Sequence, residues 1–344
     1  MFGIWTIAAA IISFSITAVL GKWLIPVLKR LKYGQTIREE GPSWHKSKEG
    51  TPTMGGIMFI LGILVSVMIC VPLYYVISGN LGINVRETQL ISVKIVAGMA
   101  MAFLFGMVGF LDDYIKVTKK HNLGLTAIQK LILQFIIAIG YLCSIYMAKV
   151  SMNSKFITSV VIPFVGSIDL GIFYFIISAL LIVGMVNAVN LTDGIDGICA
   201  SSVFFTAISL MVISGILSMH GFSIISSALA GGCLGFLLWN FNPAKVFMGD
   251  TGSLFLGGMI CAILFGLDMP ILLIPIGIVY IVEMASVILQ VVYFKITKGK
   301  RLFKMSPIHH HFELMGMSES SLCFWFSIAS LIGGVISFML VFAT

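Results

Sequence analysis

Apolar residues in this chain run in long blocks instead of alternating or recurring on one helical face. Residues 1–21, 51–85, 197–244 and 320–344 contain no Asp, Glu, Lys or Arg. A helix needs about 20 mostly apolar residues to cross the hydrocarbon of a bilayer, and each block is that long or a multiple of it. Hydropathy places ten spans, at about 3–25, 53–77, 91–111, 128–148, 172–190, 198–217, 223–241, 252–267, 270–294 and 321–342. The longest block is cut at Ser218-Met219-His220-Gly221, where small and polar residues mark a turn. The predicted fold is an all-α membrane protein of ten transmembrane helices. With no internal repeat and no low-complexity segment, residues 1–344 read as a single integral membrane domain.

Composition closes off the other classes. Only 10% of residues are charged and 59% are hydrophobic, against roughly 25% charged in a soluble domain, and the mean hydropathy is +1.07. The six cysteines lie in apolar segments without C-x-x-C spacing, which argues for small buried hydrophobes over a zinc or redox pair. No basic segment precedes the first apolar run, which is read as a span and not as a cleaved signal.

The net charge of +7 matters less than its placement. Ten spans put both termini on one side. One face then receives loops 26–52, 112–127, 191–197, 242–251 and 295–320, which hold fifteen Lys and Arg, while the other holds Arg86, Lys149 and Lys155. Basic residues accumulate in cytoplasmic loops. The expected topology has both termini extracytoplasmic, and no nucleic-acid partner is expected.

The acids break a local rule. Asp112, Asp113, Asp193, Asp196 and Asp250 all fall on the basic face, within a few residues of span ends. Asp112 and Asp113 are expected at a helix C-terminus, with Asp193 and Asp196 just beyond another, where the macrodipole disfavours negative charge. Rule-breaking at several places on one face marks a site, and a cation would relieve the repulsion. Simpler readings exist for single motifs: Asp112 as an i,i+4 partner of Lys116, and Asp250 as a helix cap.

Together the motifs suggest phosphoryl transfer at the membrane surface. Mg²⁺ prefers one or two carboxylates plus substrate phosphates, and Lys46, Lys48, Lys116, Lys119 and Lys120 would neutralise a diphosphate. Gly252 and Ser253 open a helix whose free N–H groups would receive phosphate oxygens. No phosphate-binding G-x-x-x-x-G-K-[ST] loop and no dinucleotide fingerprint occur. In SPIHHHFE (306–313) three consecutive imidazoles diverge too far to ligate one metal easily, so the loop reads as offering imidazole donors to phosphate or sugar, or as a solvated basic loop. Glu283, alone inside the ninth span, is a functional candidate as an intramembrane acid, or is paired with a neighbouring helix. A transporter would place its coupling acids near the midplane, not at one interface beside lysines.

GTPTMGG (50–56), LDDYIK (111–116), NAVNLTDGIDG (187–197), NFNPAKVFMGDTGS (240–253) and SPIHHHFE, in this order, resemble the phospho-N-acetylmuramoyl-pentapeptide transferase family of bacterial peptidoglycan synthesis. Related enzymes that transfer an N-acetylhexosamine 1-phosphate to a polyprenyl phosphate share the acidic motifs; TPTMGG and HHHFE favour the muramoyl-pentapeptide branch. The resemblance implies a homodimer in the bacterial cytoplasmic membrane with its active-site cleft on the cytoplasmic face. It implies Mg²⁺ dependence, and transfer of phospho-MurNAc-pentapeptide from UDP-MurNAc-pentapeptide to undecaprenyl phosphate, giving lipid I and UMP. Carried over by position, Asp112, Asp113, Lys116, Asp250 and His309 are candidate catalytic residues, with Asp112 and Asp113 facing the lipid phosphate and Asp250 the principal Mg²⁺ ligand. Lys48, Thr53, Lys120, Asn187, Asn190, Asp193, Gly194, Asp196, Asn240, Phe247, Ser253 and His310 are candidate substrate-binding residues, Phe247 by stacking on uracil.

Overall fold

The structure, a computed structural model, describes residues 2–31, 48, 50–79, 85–119, 124–154 and 157–343. In chain order the elements are α1 (Phe2–Arg30), α2 (Gly56–Gly79), α3 (Val85–Lys119), α4 (Ala127–Ser151), β1 (Ser159–Ile162), β2 (Gly166–Asp169), α5 (Phe173–Thr192), α6 (Ile198–Ile216) and α7 (His220–Asn240). They continue with α8 (Gly249–Gly266), a 3₁₀ turn Pro270–Leu272, α9 (Leu273–Ile276), α10 (Ile278–Ile296), α11 (Ile308–Glu313) and α12 (Glu319–Val341). Ten helices among the described residues are long and apolar enough to cross a membrane. They are the ten predicted spans, displaced by up to eight residues at their ends. The six cysteines are unpaired.

Three features correct the sequence expectation. The fold is not wholly α: β1 and β2 form an antiparallel hairpin, Ser159 opposite Asp169 and Ile162 opposite Gly166, built on a Val-Val-Ile run too short to register as a hydropathy feature. The third span continues to Lys119, so Asp112 and Asp113 lie within the last two turns of a helix, not at its end. The ninth span is broken at Gly277 into α9 and α10. Pro270 and Pro275 each withhold an N–H, which is why this stretch cannot run as one uninterrupted helix.

At the centre of the bundle stands α8, whose residues from Thr251 to Gly266 are all buried. Its main neighbour is α3, and the two run antiparallel. Small residues let their backbones meet. A Cβ at Gly258 would lie 2.8 Å from Cα of Ala102, one at Gly98 would lie 2.9 Å from the methyl of Ala262, and one at Gly109 would overlap the carbonyl of Asp250. Lipid tails are as apolar as leucine, so such close backbone packing, and not hydrophobic exclusion, drives helix association in a membrane.

Both ends of this pair are tied by polar groups. At one end the buried Lys94 of α3 donates to the carbonyl of Gly266 at 3.1 Å and to Asp268, which also binds Lys149 of α4 at 2.8 Å. At the other end lie Asp112, Asp113 and Asp250. Lys94 and Asp112 are 18 residues apart, as are Asp250 and Asp268, which is about 27 Å along a helix.

The Gly109 contact is testable with one methyl group. Gly109→Ala must displace α3 from the α8 backbone and is expected to cost about 1–3 kcal/mol, seen as a lowered melting temperature in detergent. Gly140→Ala on α4, where nothing lies within 4 Å, should leave the melting temperature unchanged or slightly raised.

Candidate active site

The tight α3–α8 contact carries Asp113 to the start of α8. There its carboxylate accepts the backbone N–H of Asp250 at 3.3 Å and of Thr251 at 3.0 Å, and the Thr251 hydroxyl at 2.7 Å. A carboxylate from one helix thus satisfies the orphan donors of another, where the macrodipole favours negative charge. Gly249 makes the approach possible: its φ is +70°, and a Cβ there would strike the Asp113 carboxylate. Two sequence expectations change accordingly. Asp250 sits in the first turn of α8 but its side chain makes no cap bond. The first N–H groups of that helix are already filled by Asp113, and Ser253 is buried, so they do not wait for phosphate.

Freed from capping, Asp250 turns to the cations. Its Oδ2 lies 3.0 Å from Lys116 Nζ and 2.6 Å from Lys130 Nζ, and its Oδ1 accepts from Asn190 at 2.8 Å. Asn190 also donates to Ser253 at 2.8 Å. Asp112 shares both lysines, at 2.6 Å to Lys116 and 3.5 Å to Lys130, and accepts the N–H of Leu125 at 2.7 Å. The i,i+4 pairing of Asp112 with Lys116 is therefore present, as one edge of a larger network. Lys130 escaped the sequence motifs because hydropathy absorbs it into the fourth span; the available signal was a lone cation in the first turn of that span.

Asp112, Asp113 and Asp250 each offer an oxygen, all within 4.8 Å of one another. Hard carboxylate oxygens suit a hard divalent cation, and two ammonium groups already crowd the same oxygens. The donor set fits a metal, although Asp113 has committed lone pairs to α8.

The turn after α5 brings the second acidic motif alongside. Asp193 follows the last residue of α5. Burial, then the carboxylates of Asp250, Asp113 and Asp196, push its carboxyl up to about 8. Asp196 faces another way. It binds Lys48 at 2.7 Å and accepts from Asn242 at 3.1 Å and the N–H of Ala244 at 2.9 Å. Lys48 reaches Glu319 of α12 as well, at 2.7 Å. Lys48 is thus held by Asp196, with which the sequence motifs group it, and by Glu319, which lies outside every motif. Lys46 and Lys120 lie outside the described residues, as does the side chain of Lys119.

The remaining candidates fasten loops. Asn240 is buried, accepting from Gly197 at 3.1 Å and donating to the carbonyl of Val246 at 2.9 Å. Phe247 is half-buried and exchanges backbone bonds with the 52–55 segment, at 2.8 Å to Pro52 and 2.8 Å from Gly55. Thr53, in the same segment, lies beside Gly249. Asn187 pairs with the buried amide of Gln134, donating at 2.7 Å and receiving at 3.3 Å. In the histidine segment His310 binds Glu313 at 3.0 Å, and His311 accepts the N–H of Lys304 at 3.1 Å. His309 is completely buried, with Nδ1 3.0 Å from Glu283 of α10 and its ring against Gly194, where a Cβ would overlap Nε2. The partner of the intramembrane acid is therefore this histidine.

Residues 95–268 match the profile of Glycosyl transferase family 4, and residues 48–60 match Phospho-N-acetylmuramoyl-pentapeptide-transferase signature 1. Among the relatives is the phospho-N-acetylmuramoyl-pentapeptide-transferase of Halalkalibacterium halodurans, 47% identical over 90% of this chain and 89% of its own. That of Caldicellulosiruptor bescii is 44% identical over 94% of each chain. That of Bacillus subtilis is 46% identical over 90% of this chain and 89% of its own.

A carboxyl with its pKa near 8 is protonated at neutral pH. Infrared spectra should contain a protonated-carboxyl band that is present below about pH 8 and fades as pH rises through it, absent from Asp193→Asn. The same band in both proteins would assign it elsewhere.

Proposed function

The chain belongs to the phospho-N-acetylmuramoyl-pentapeptide-transferase family, and from that premise we propose how its residues carry out the transfer. The reaction moves phospho-MurNAc-pentapeptide from UDP-MurNAc-pentapeptide to undecaprenyl phosphate, releasing UMP and lipid I. The observation that carries the assignment of roles is the sharing of Lys116 and Lys130 between Asp112 and Asp250. Two anionic substrates must meet, and fixed cations beside the reacting phosphates offset that repulsion.

In the proposed step an oxygen of undecaprenyl phosphate attacks the β-phosphorus of the donor. A new P–O bond forms, the bridging P–O bond breaks, and UMP leaves with its electron pair. A phosphate monoester has its second pKa near about 6, so the acceptor is largely dianionic at neutral pH and needs little deprotonation. Asp112 therefore orients Lys116 and the acceptor, and Asp113 holds the start of α8 so that Asp250 faces the lysines. Asp250, with Asp112 and Asp113, would hold Mg²⁺, which when bound supplies further charge neutralisation to the phosphates. Asn190 fixes the Asp250 carboxylate, and the 193–197 turn with Lys48, Phe247 and His310 borders the donor's nucleotide.

We place the cleft on the cytoplasmic face of the bacterial cytoplasmic membrane, with both termini outside, supported by the fifteen-to-three excess of basic residues on that face. One domain spanning 1–344, assembled as a homodimer, completes the reading.

Purified protein in detergent should release UMP from UDP-MurNAc-pentapeptide with undecaprenyl phosphate and Mg²⁺, and not from UDP-GlcNAc. Asp250→Ala should lose turnover. Lys130→Met should lower kcat by about 100-fold or more, with partial retention in Lys130→Arg, since removing one partner of a partly buried charge network strands the other. Turnover of UDP-GlcNAc would move the enzyme to the hexosamine branch. Because one diphosphate is exchanged for another, added UMP should drive lipid I back to the UDP donor. Recovery of a phosphorylated aspartate from a donor-only reaction would replace direct attack by a two-step route.

A further inference from the structure

A carboxylate buried inside a membrane span is costly and is retained where it has work to do. Glu283 has no exposed surface, nor has His309. Its Oε2 stands 3.0 Å from Nδ1 of that histidine. Among the described residues no hydrogen bond of good geometry satisfies either Glu283 oxygen or either His309 nitrogen. Of these four polar atoms, on α10 and α11, only Nδ1 and Oε2 face each other. On the far side of the ring, Nε2 presses on Gly194, where even a methyl group would not fit. Gly194 follows Asp193, the acid whose charge environment includes Asp250 and Asp113.

We infer that Glu283 is a positioning residue: its carboxylate, 3.0 Å from Nδ1 of His309, seats the imidazole against Gly194 and so fixes the turn that carries Asp193 beside the carboxylate–lysine network. The contact a histidine makes through one ring nitrogen decides the state of the other, and partners that orient metal-ligating histidines in this way matter by about 10- to 100-fold, which sets the scale expected here. A proton on Nδ1, drawn by the Glu283 carboxylate, leaves Nε2 without hydrogen on the side that meets Gly194. Glu283 itself touches neither phosphate nor sugar; its effect passes through His309. The activity readout rests on the transfer reading above, whereas the tautomer readout stands apart from it.

Three variants and one spectrum test this. Glu283→Met should lower UMP release by about 10- to 100-fold, whereas Glu283→Gln, whose amide oxygen can occupy the same place beside Nδ1, should restore most of it. In a His309→Ala background Glu283→Met should cost less than about twofold, because its route of action is gone. Nitrogen-15 spectra of histidine-labelled protein, assigned by His309→Ala, should give the Nδ1–H tautomer in the wild type and in Glu283→Gln, and lose it in Glu283→Met. Equal losses from Glu283→Met in both backgrounds, an unchanged tautomer in that variant, or activity that merely follows melting temperature across the set would overturn the inference. A wild type that shows the tautomer but releases no UMP would instead sink the transfer reading.

Discussion

The antiparallel contact of α3 with α8 is the constraint on which the rest of the molecule depends. Glycine and alanine along both helices let the backbones touch, and only at that separation does the Asp113 carboxylate reach the first N–H groups of α8. Capping from a neighbouring helix leaves Asp250, in the first turn of the capped helix, free to face Lys116 and Lys130. A buried packing stripe and a charged site are thus consequences of one register.

The charge balance at that site is deliberate in its incompleteness. Three carboxylates face two ammonium groups, so one negative charge is left over before any substrate arrives. A divalent cation would over-neutralise the cluster, and the phosphates of donor and acceptor would then find a positive field. The second acidic motif is organised differently. Asp196 spends its oxygens on Lys48, the Asn242 side chain and the N–H of Ala244, and so ties the 193–197 turn to the 242–244 segment, whereas Asp193 is held mostly neutral by burial first and by the first cluster second.

Much of this was legible in the sequence because the physics involved is local. Ten apolar spans give ten helices, and acids crowding one interface pointed to the cluster in which the structure brings Asp112, Lys116 and Asp250 together. What was not legible depended on geometry between distant segments. Nothing in the FMGDTGS motif says that its helix will be capped by a residue 137 positions earlier, so the phosphate-binding N-terminus was a reasonable but mistaken expectation. Lys130 and Glu319 carry charges that join the networks only when the helices assemble. Glu283 stood out as an anomaly, yet its partner could not be named until α11 was seen folded against α10. The β1–β2 hairpin was too short for hydropathy to register.

The clamps at the two ends of α3 and α8 bear on the lipid as well. Lys94, Lys149 and Asp268 at one end and the carboxylate–lysine network at the other are separated by about the thickness of bilayer hydrocarbon. The helix pair therefore works as a ruler with fixed ends. A span held by a single anchor can tilt or slide when the surrounding membrane thickens or thins, but here sliding either helix would drag one charged end into hydrocarbon and break the other. Mismatch must be absorbed by the bilayer or by the looser outer helices, so the site keeps its depth while the lipid around it adjusts.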